Sequence, residues 1–105
     1  MALPKVTNPG QSTTHYHGAG GPYTFSWDNA GLSPNPDYWR LRVGGTPWSW
    51  NYYNGGNVAG GTFATTFNFD VVPPNGKLCY TFVQYSYDGG TTWTPGDLSS
   101  FICRM

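Results

Sequence analysis

Two histidines two residues apart, His15 and His17, are the first pair in this sequence with metal chemistry open to them. On a strand, residues i and i+2 share a face, so both imidazoles would point the same way. Two ligands do not close a site and no third stands near, so exposed histidines close to a terminus are the plainer reading. Cys79 and Cys103 are either one disulfide or two free thiols, since metal binding would need further ligands that the chain lacks nearby. All the acids are aspartates: Asp28, Asp37, Asp70, Asp88 and Asp97. Asp28, Asp37, Asp88 and Asp97 each stand beside Gly, Pro or Asn, the company that turn aspartates keep. Two carboxylates could hydrolyse a glycoside, but a small sandwich rarely encloses the cleft that reaction needs. There is no Gly-x-Ser-x-Gly elbow, no phosphate loop and no Cys–His pair close in sequence. The expectation is therefore no catalysis, no metal and no cofactor.

Aromatic side chains carry the stronger signal. The 105 residues include five Trp, eight Tyr and six Phe, yet only 10% are charged and the formal net charge is +0. A small sandwich buries about a dozen large side chains, so several rings should be exposed. The richest stretch is Trp48-Ser-Trp50-Asn-Tyr52-Tyr53-Asn54, bounded by Gly and Pro. Read as a strand, it puts Trp48, Trp50 and Tyr52 on one face. Such a face suits stacking on a sugar, with Asn54 bonding hydroxyls, or a protein interface, where Trp and Tyr dominate hot spots. It also suits the inner face of an edge strand. The same arithmetic excludes other classes. Five scattered cations cannot neutralise a row of phosphates, so nucleic acid is not a partner. Scarce Ala, Glu and Lys argue against a helical bundle, and abundant rings argue against disorder. No run is long enough for an apolar membrane span, and Met1 to Gly10 shows no secretory signal.

What must position these residues is a set of short strands separated by turn chemistry, with no internal repeat. Residues 1–21 form an N-terminal segment with a short strand at 12–17, and residues 22–105 form the sandwich, one domain overall. Strands are expected at Tyr23–Asp28, Tyr38–Val43, Trp48–Tyr53, Thr62–Val72, Leu78–Tyr87 and Leu98–Arg104. The predicted fold is an all-β, antiparallel, immunoglobulin-like sandwich of six to seven strands. Tyr23–Trp27, Tyr38–Val43, Thr62–Val72 and Leu78–Tyr87 resemble strands B, C, E and F of fibronectin type III and related bacterial extracellular modules. That resemblance covers residues 22–104. It implies that the tyrosine of Val72-Pro-Pro-Asn-Gly-Lys-Leu-Cys-Tyr80 pins the corner between the third and fourth of these strands. Trp27 departs from the antibody pattern, which has a cysteine on its second strand.

Ser86-Tyr-Asp88-Gly-Gly90-Thr-Thr92-Trp93 fits Ser-x-Asp-x-Gly-x-Thr-Trp. Asp88 can accept backbone N–H groups across a turn, Gly89 and Gly90 can take positive φ, and Trp93 can cap the result. The stretch resembles the Asp-box of sialidase propellers and the last hairpin of bacterial immunoglobulin-like repeats. The resemblance implies a structural hairpin, since fold motifs do not carry function by themselves. A hairpin centred on Gly89-Gly90 sets Cys79 opposite residue 100. A bulge at Thr94–Asp97 would then bring Cys103 opposite Cys79. The resulting bridge would close a loop of about 23 residues and stabilise the fold by roughly 3 kcal/mol. Low charge and a disulfide fit a secreted, cell-surface or virion-surface protein. Its expected role is non-catalytic binding of a glycan or protein. The alternative is a structural subunit whose weakly charged copies self-assemble.

Overall fold

Tyr23, Phe25 and Trp27 alternate with Thr24 and Ser26, and that spacing makes a strand with one apolar face. The computed structural model describes residues 3–16 and 22–104, and in it this stretch is β3 (Tyr23–Trp27), with all three rings buried. Before it come β1 (Val6–Asn8) and β2 (Thr13–Tyr16). After it come β4 (Tyr38–Gly44), β5 (Tyr53–Asn54), β6 (Val58–Ala59), β7 (Ala64–Phe67), β8 (Lys77–Ser86), β9 (Thr94–Pro95) and β10 (Ser99–Arg104). The described chain is all-β, and no helix in it is long and apolar enough to cross a membrane. His17 and the side chain of His15 lie outside the described residues.

The strands form two sheets. The smaller has the order β1-β3-β7; the larger has the order β2-β10-β8-β4-β5, with β6 added to β4 and β9 to β8. Every pairing is antiparallel except β2 with β10, where Thr13 lies opposite Phe101 and Thr14 opposite Ile102 in parallel. This corrects the expectation of a wholly antiparallel fold. The N-terminal chain pairs with β3 as β1, turns at Gly10, where the Thr13 hydroxyl donates to the Gly10 carbonyl (2.6 Å), and joins the other sheet as β2. Because the partner changes while the direction does not reverse, the chain meets β10 running the same way.

The two sheets share one core. Phe25 meets Phe101 edge-on at 5.4 Å, and Trp27 tilts against Trp39 at 6.0 Å. Tyr53 lies nearly flat on Phe67 at 4.1 Å and 20°. Leu41, Val43, Val83, Cys79 and Cys103 complete the inner face of the larger sheet, all fully buried. Offset and edge-on ring pairs of this kind add about 0.5–1.5 kcal/mol each beyond the area they bury.

Four expectations need correction. The strand expected over Thr62–Val72 spans only Ala64–Phe67, because both Asp70 N–H (2.8 Å) and Val71 N–H (3.2 Å) donate to the Tyr52 carbonyl and turn the chain aside. Val71 and Val72 consequently point to solvent. The stretch Trp48–Tyr53 is a turn rather than a strand, with ladder pairing only at Tyr53–Asn54. Tyr80 pins no corner: it lies opposite Gly44 and Ser100, on the face of β8 turned away from the core. The hairpin register does shift between β9 and β10, but by one residue. Gln84 pairs with Pro95, whereas Cys79 pairs with Phe101 and Cys103 with Lys77. The two cysteines are therefore diagonal neighbours, unlinked, with sulfurs near 3.8 Å. Their mutual hydrogen bond and burial push the Cys103 thiol far above its ordinary range.

Candidate binding face

β4 sends Trp39, Leu41 and Val43 inward, so Arg40 and Arg42 must emerge on the outer face of the larger sheet. β8 places Gln84 opposite Arg40 and Phe82 opposite Arg42 on that same face. Gln84 Oε1 accepts from Arg40 Nε (3.1 Å) and Nη2 (2.8 Å), and from Arg42 Nε (3.3 Å). Arg42 Nη1 also donates to the Gly55 carbonyl at 3.2 Å. Thus two guanidiniums converge on one neutral amide oxygen. Arg42 is only 6% exposed. Burial, and then the charge of Arg40, lower it to a pKa of about 10, still fully charged at neutral pH.

Each guanidinium is capped by an indole. Arg40 lies over Trp93 at 3.9 Å and Arg42 over Trp50 at 5.3 Å, within the reach of cation–π attraction. The outer face therefore reads Trp93, Arg40, Gln84, Arg42, Trp50 in sequence across the sheet. Beside this row, Trp48 meets Phe82 edge-on at 5.0 Å, which is why Phe82 is buried although it faces outward.

Trp48 and Trp50 are carried by a loop folded tightly on itself. Ser49 Oγ donates to the Thr46 carbonyl (2.7 Å) and accepts from Thr46 N–H (3.2 Å); Asn51 Oδ1 accepts from Gly45 N–H (2.9 Å). Trp48 takes a positive φ of 64°. Gly44 has no room for a side chain, since a Cβ there would overlap the Ser49 hydroxyl and carbonyl. The turn leaves Trp48 and Trp50 each 48% exposed. Of the five residues expected to share a binding face, these two and Asn54 are exposed. Tyr52 is buried, and Tyr53 is half-buried against Phe67, because β5 sets Tyr53 opposite the inward Val43. Arg40, Arg42, Gln84 and Phe82 join this face without a motif to mark them; the sequence signal for them is the polar spacing of β4 and the doubly apolar pattern of β8.

The hairpin at the other end of the row is held by its own side chains. Asp88 Oδ1 accepts from Ser86 Oγ (2.8 Å), Thr91 N–H (3.1 Å) and Thr92 N–H (2.8 Å), while Oδ2 accepts from Thr92 Oγ1. Ser86 Oγ accepts from Gly90 N–H at 2.9 Å, and Trp93 Nε1 donates to the Gly90 carbonyl at 3.1 Å. Gly89 and Gly90 have φ of 73° and 94°. This web fixes the indole that caps Arg40. Hydrogen bonds from Thr92, then Ser86 and Thr91, hold the Asp88 carboxyl at about 2, below the ordinary 3.8. A depressed folded pKa contributes stability that is complete above the unfolded value and is lost as pH falls through the folded one. The Thr91 and Thr92 amide resonances should therefore shift with a midpoint near pH 2, with the hairpin loosening between about pH 4 and pH 2. A midpoint at the ordinary carboxylate value would contradict the hydrogen-bond web.

Among the described residues there is no pocket and no cluster of three metal-ligating side chains. No family model, curated protein or solved structure matches this chain.

Proposed function

We propose that the chain is a non-catalytic binding module that holds a glycan or protein partner on the outer face of its larger sheet. The observation that carries this reading is the pair of half-exposed indoles, Trp48 and Trp50, held by a loop whose hydrogen bonds leave them no path to the core. Rigid rings presented at little entropic cost are the usual anchors of recognition surfaces. Trp50→Ala should lower partner affinity by about tenfold or more, the loss of one anchor of ~1.4 kcal/mol or greater. Its unfolding midpoint should fall only by the loss of one cation–π contact to Arg42, far less than for deletion of a core ring. A glycan and protein-capture screen with no binder, or a binder indifferent to Trp50→Ala, would sink the proposal.

An immunoglobulin-like reading of the fold belongs to this proposal. The orders β1-β3-β7 and β10-β8-β4-β5 correspond to A-B-E and G-F-C-C′ of such sandwiches. Trp39 then stands on strand C, where that fold keeps its core tryptophan. The hairpin that resembles an Asp-box joins strands F and G. A surface or secreted setting fits low charge and would allow a Cys79–Cys103 bridge, which thiol titration under non-reducing conditions reads directly.

A structural role is the second reading, favoured by one feature. β7 is the outer strand of the small sheet, and its stretch of chain from Gly55 to Phe69 contains no charge and no proline. Native edges are usually blunted by those very residues, so this one is open to pairing with another copy. Sedimentation velocity across a concentration series tests it: assembly predicts a species heavier than the monomer, and a monomer throughout removes it.

A further inference from the structure

Arg40 and Arg42 lie side by side on the outer face, and no carboxylate of the described chain answers either charge. Four of the five aspartates are committed elsewhere. Asp28 accepts from Ala30 N–H (3.1 Å), Asp37 from Gly89 N–H (3.0 Å) and Asp70 from Asn54 N–H (3.0 Å), while Asp88 holds the hairpin. Asp97 contributes no bond to either guanidinium. A charge as buried as Arg42 is ordinarily paired, and here its partners are an amide oxygen, a carbonyl and an indole. A guanidinium has five N–H donors. Two are engaged on each arginine; Arg42 is buried, so the unengaged donors open to an incoming acceptor are those of the half-buried Arg40.

We propose that the partner on this face is an acidic glycan, a sugar bearing a carboxylate that stacks on Trp48 or Trp50 and directs its carboxylate to Arg40, with the charge of the buried Arg42 beside it. This rests on the binding-module reading and narrows it to one ligand class. A sugar is favoured because the rings lie open on a surface without a pocket, with the exposed amides of Asn51 and Asn54 beside them. Guanidinium and carboxylate match in shape, two parallel N–H donors to two oxygens.

The test is a tryptophan-fluorescence titration of the whole chain with short oligogalacturonates, with the same oligomers methyl-esterified, and with an acidic oligoglutamate peptide. The acid form should bind about tenfold more tightly than its ester, and the gap should narrow as salt screens it. Gln84→Glu, which supplies an internal carboxylate, should erase the preference while the folded-state spectrum persists. Equal affinity for acid and ester overturns the acidic-ligand inference but leaves the glycan reading standing. Binding to neither sugar overturns the inference and the glycan form of the module together. A peptide bound more tightly than the uronate also overturns it, and moves the site to a protein partner.

Discussion

Trp39→Ala should cost about 3–5 kcal/mol of folding stability, the range for deleting a buried large ring. Trp39 is fully buried at the centre of the core, with its ring centroid 6.0 Å from Trp27, 6.1 Å from Phe63 and 5.8 Å from Tyr85. Those three belong to three different stretches of chain, so the cavity left behind cannot close by moving one of them. Trp39 Nε1 also donates to the Gly60 carbonyl at 2.9 Å, and Gly60 itself packs so closely on Pro36 that no side chain fits there. Losing the indole leaves that carbonyl without its donor, a further ~1 kcal/mol or more. Against a total of about 5–15 kcal/mol, the variant loses between a quarter and all of its stability. Urea or thermal unfolding checks this, with an expected fall in Tm of roughly 15–30 °C for a domain of this size. Trp39→Phe keeps one six-membered ring but loses the pyrrole half of the indole with its N–H, so it should fall between parent and Ala variant. A drop of only a few degrees in Trp39→Ala would show that the core is not organised around this ring. The contrast with Trp50→Ala, whose ring is half in water, separates a residue that holds the fold from one available to a partner.

How far such roles are legible in the sequence depends on the range of the interaction that decides them. Tyr23, Phe25, Trp27 and Trp39, Leu41, Val43 announce their inward faces because period-two alternation is a local property of a strand. The Ser86 to Trp93 hairpin is equally local, since the bonds made by its Ser86, Asp88, Thr92 and Trp93 side chains span four residues or fewer. Trp48 to Tyr53 misleads because its alternation imitates a strand. The competing bonds come from Ser49 and Asn51 side chains to backbone a few residues away, and short polar side chains divert the chain this way. Residues 94–97 marked where the register would slip, through Pro95 and Gly96. Only the packing of Gly96, whose N–H donates to the Val83 carbonyl, sets the slip at one residue.

Other features are long-range and leave little local trace. β1 is three residues long with a single buried side chain, Val6, too little to form a pattern. The parallel pairing of β2 with β10 joins segments at opposite ends of the chain, and neither carries a mark of the other. The row Trp93, Arg40, Gln84, Arg42, Trp50 draws on four separate stretches: β4, the loop that follows it, β8 and the end of the hairpin. Arginines on a polar strand face suggest that their stems cover rings, but which rings follows only from the folded loops.

Gln84→Glu should stabilise the chain while weakening its hold on an acidic partner. Gln84 Oε1 already accepts three N–H bonds from two guanidiniums, and glutamate offers the same reach with a negative charge and a second acceptor oxygen. Charge-assisted bonds are roughly twice as strong as those to a neutral acceptor. Part of that gain is lost in taking the half-buried carboxylate out of water, so the net is set at about 1 kcal/mol. The expected readout is a rise in Tm of about 4–8 °C. The rise should shrink as NaCl goes from about 0.05 to about 1 M, because the shorter Debye length screens the new attraction. Burial and the charge of Arg40 hold Arg42 at about 10 in the parent chain, so a carboxylate between the two arginines acts against both causes. The same carboxylate occupies the place an external anion would take, lowering the charge of the face from two positives to one. Affinity for oligogalacturonate should then fall about tenfold or more, although the chain is more stable than before. A purely structural role for the arginine pair predicts the gain in stability with no change in binding. A loss of stability would mean instead that the guanidiniums are already compensated where they stand. The two readouts, Tm and affinity, therefore move in opposite directions only if the unanswered charge on this face is kept for a partner.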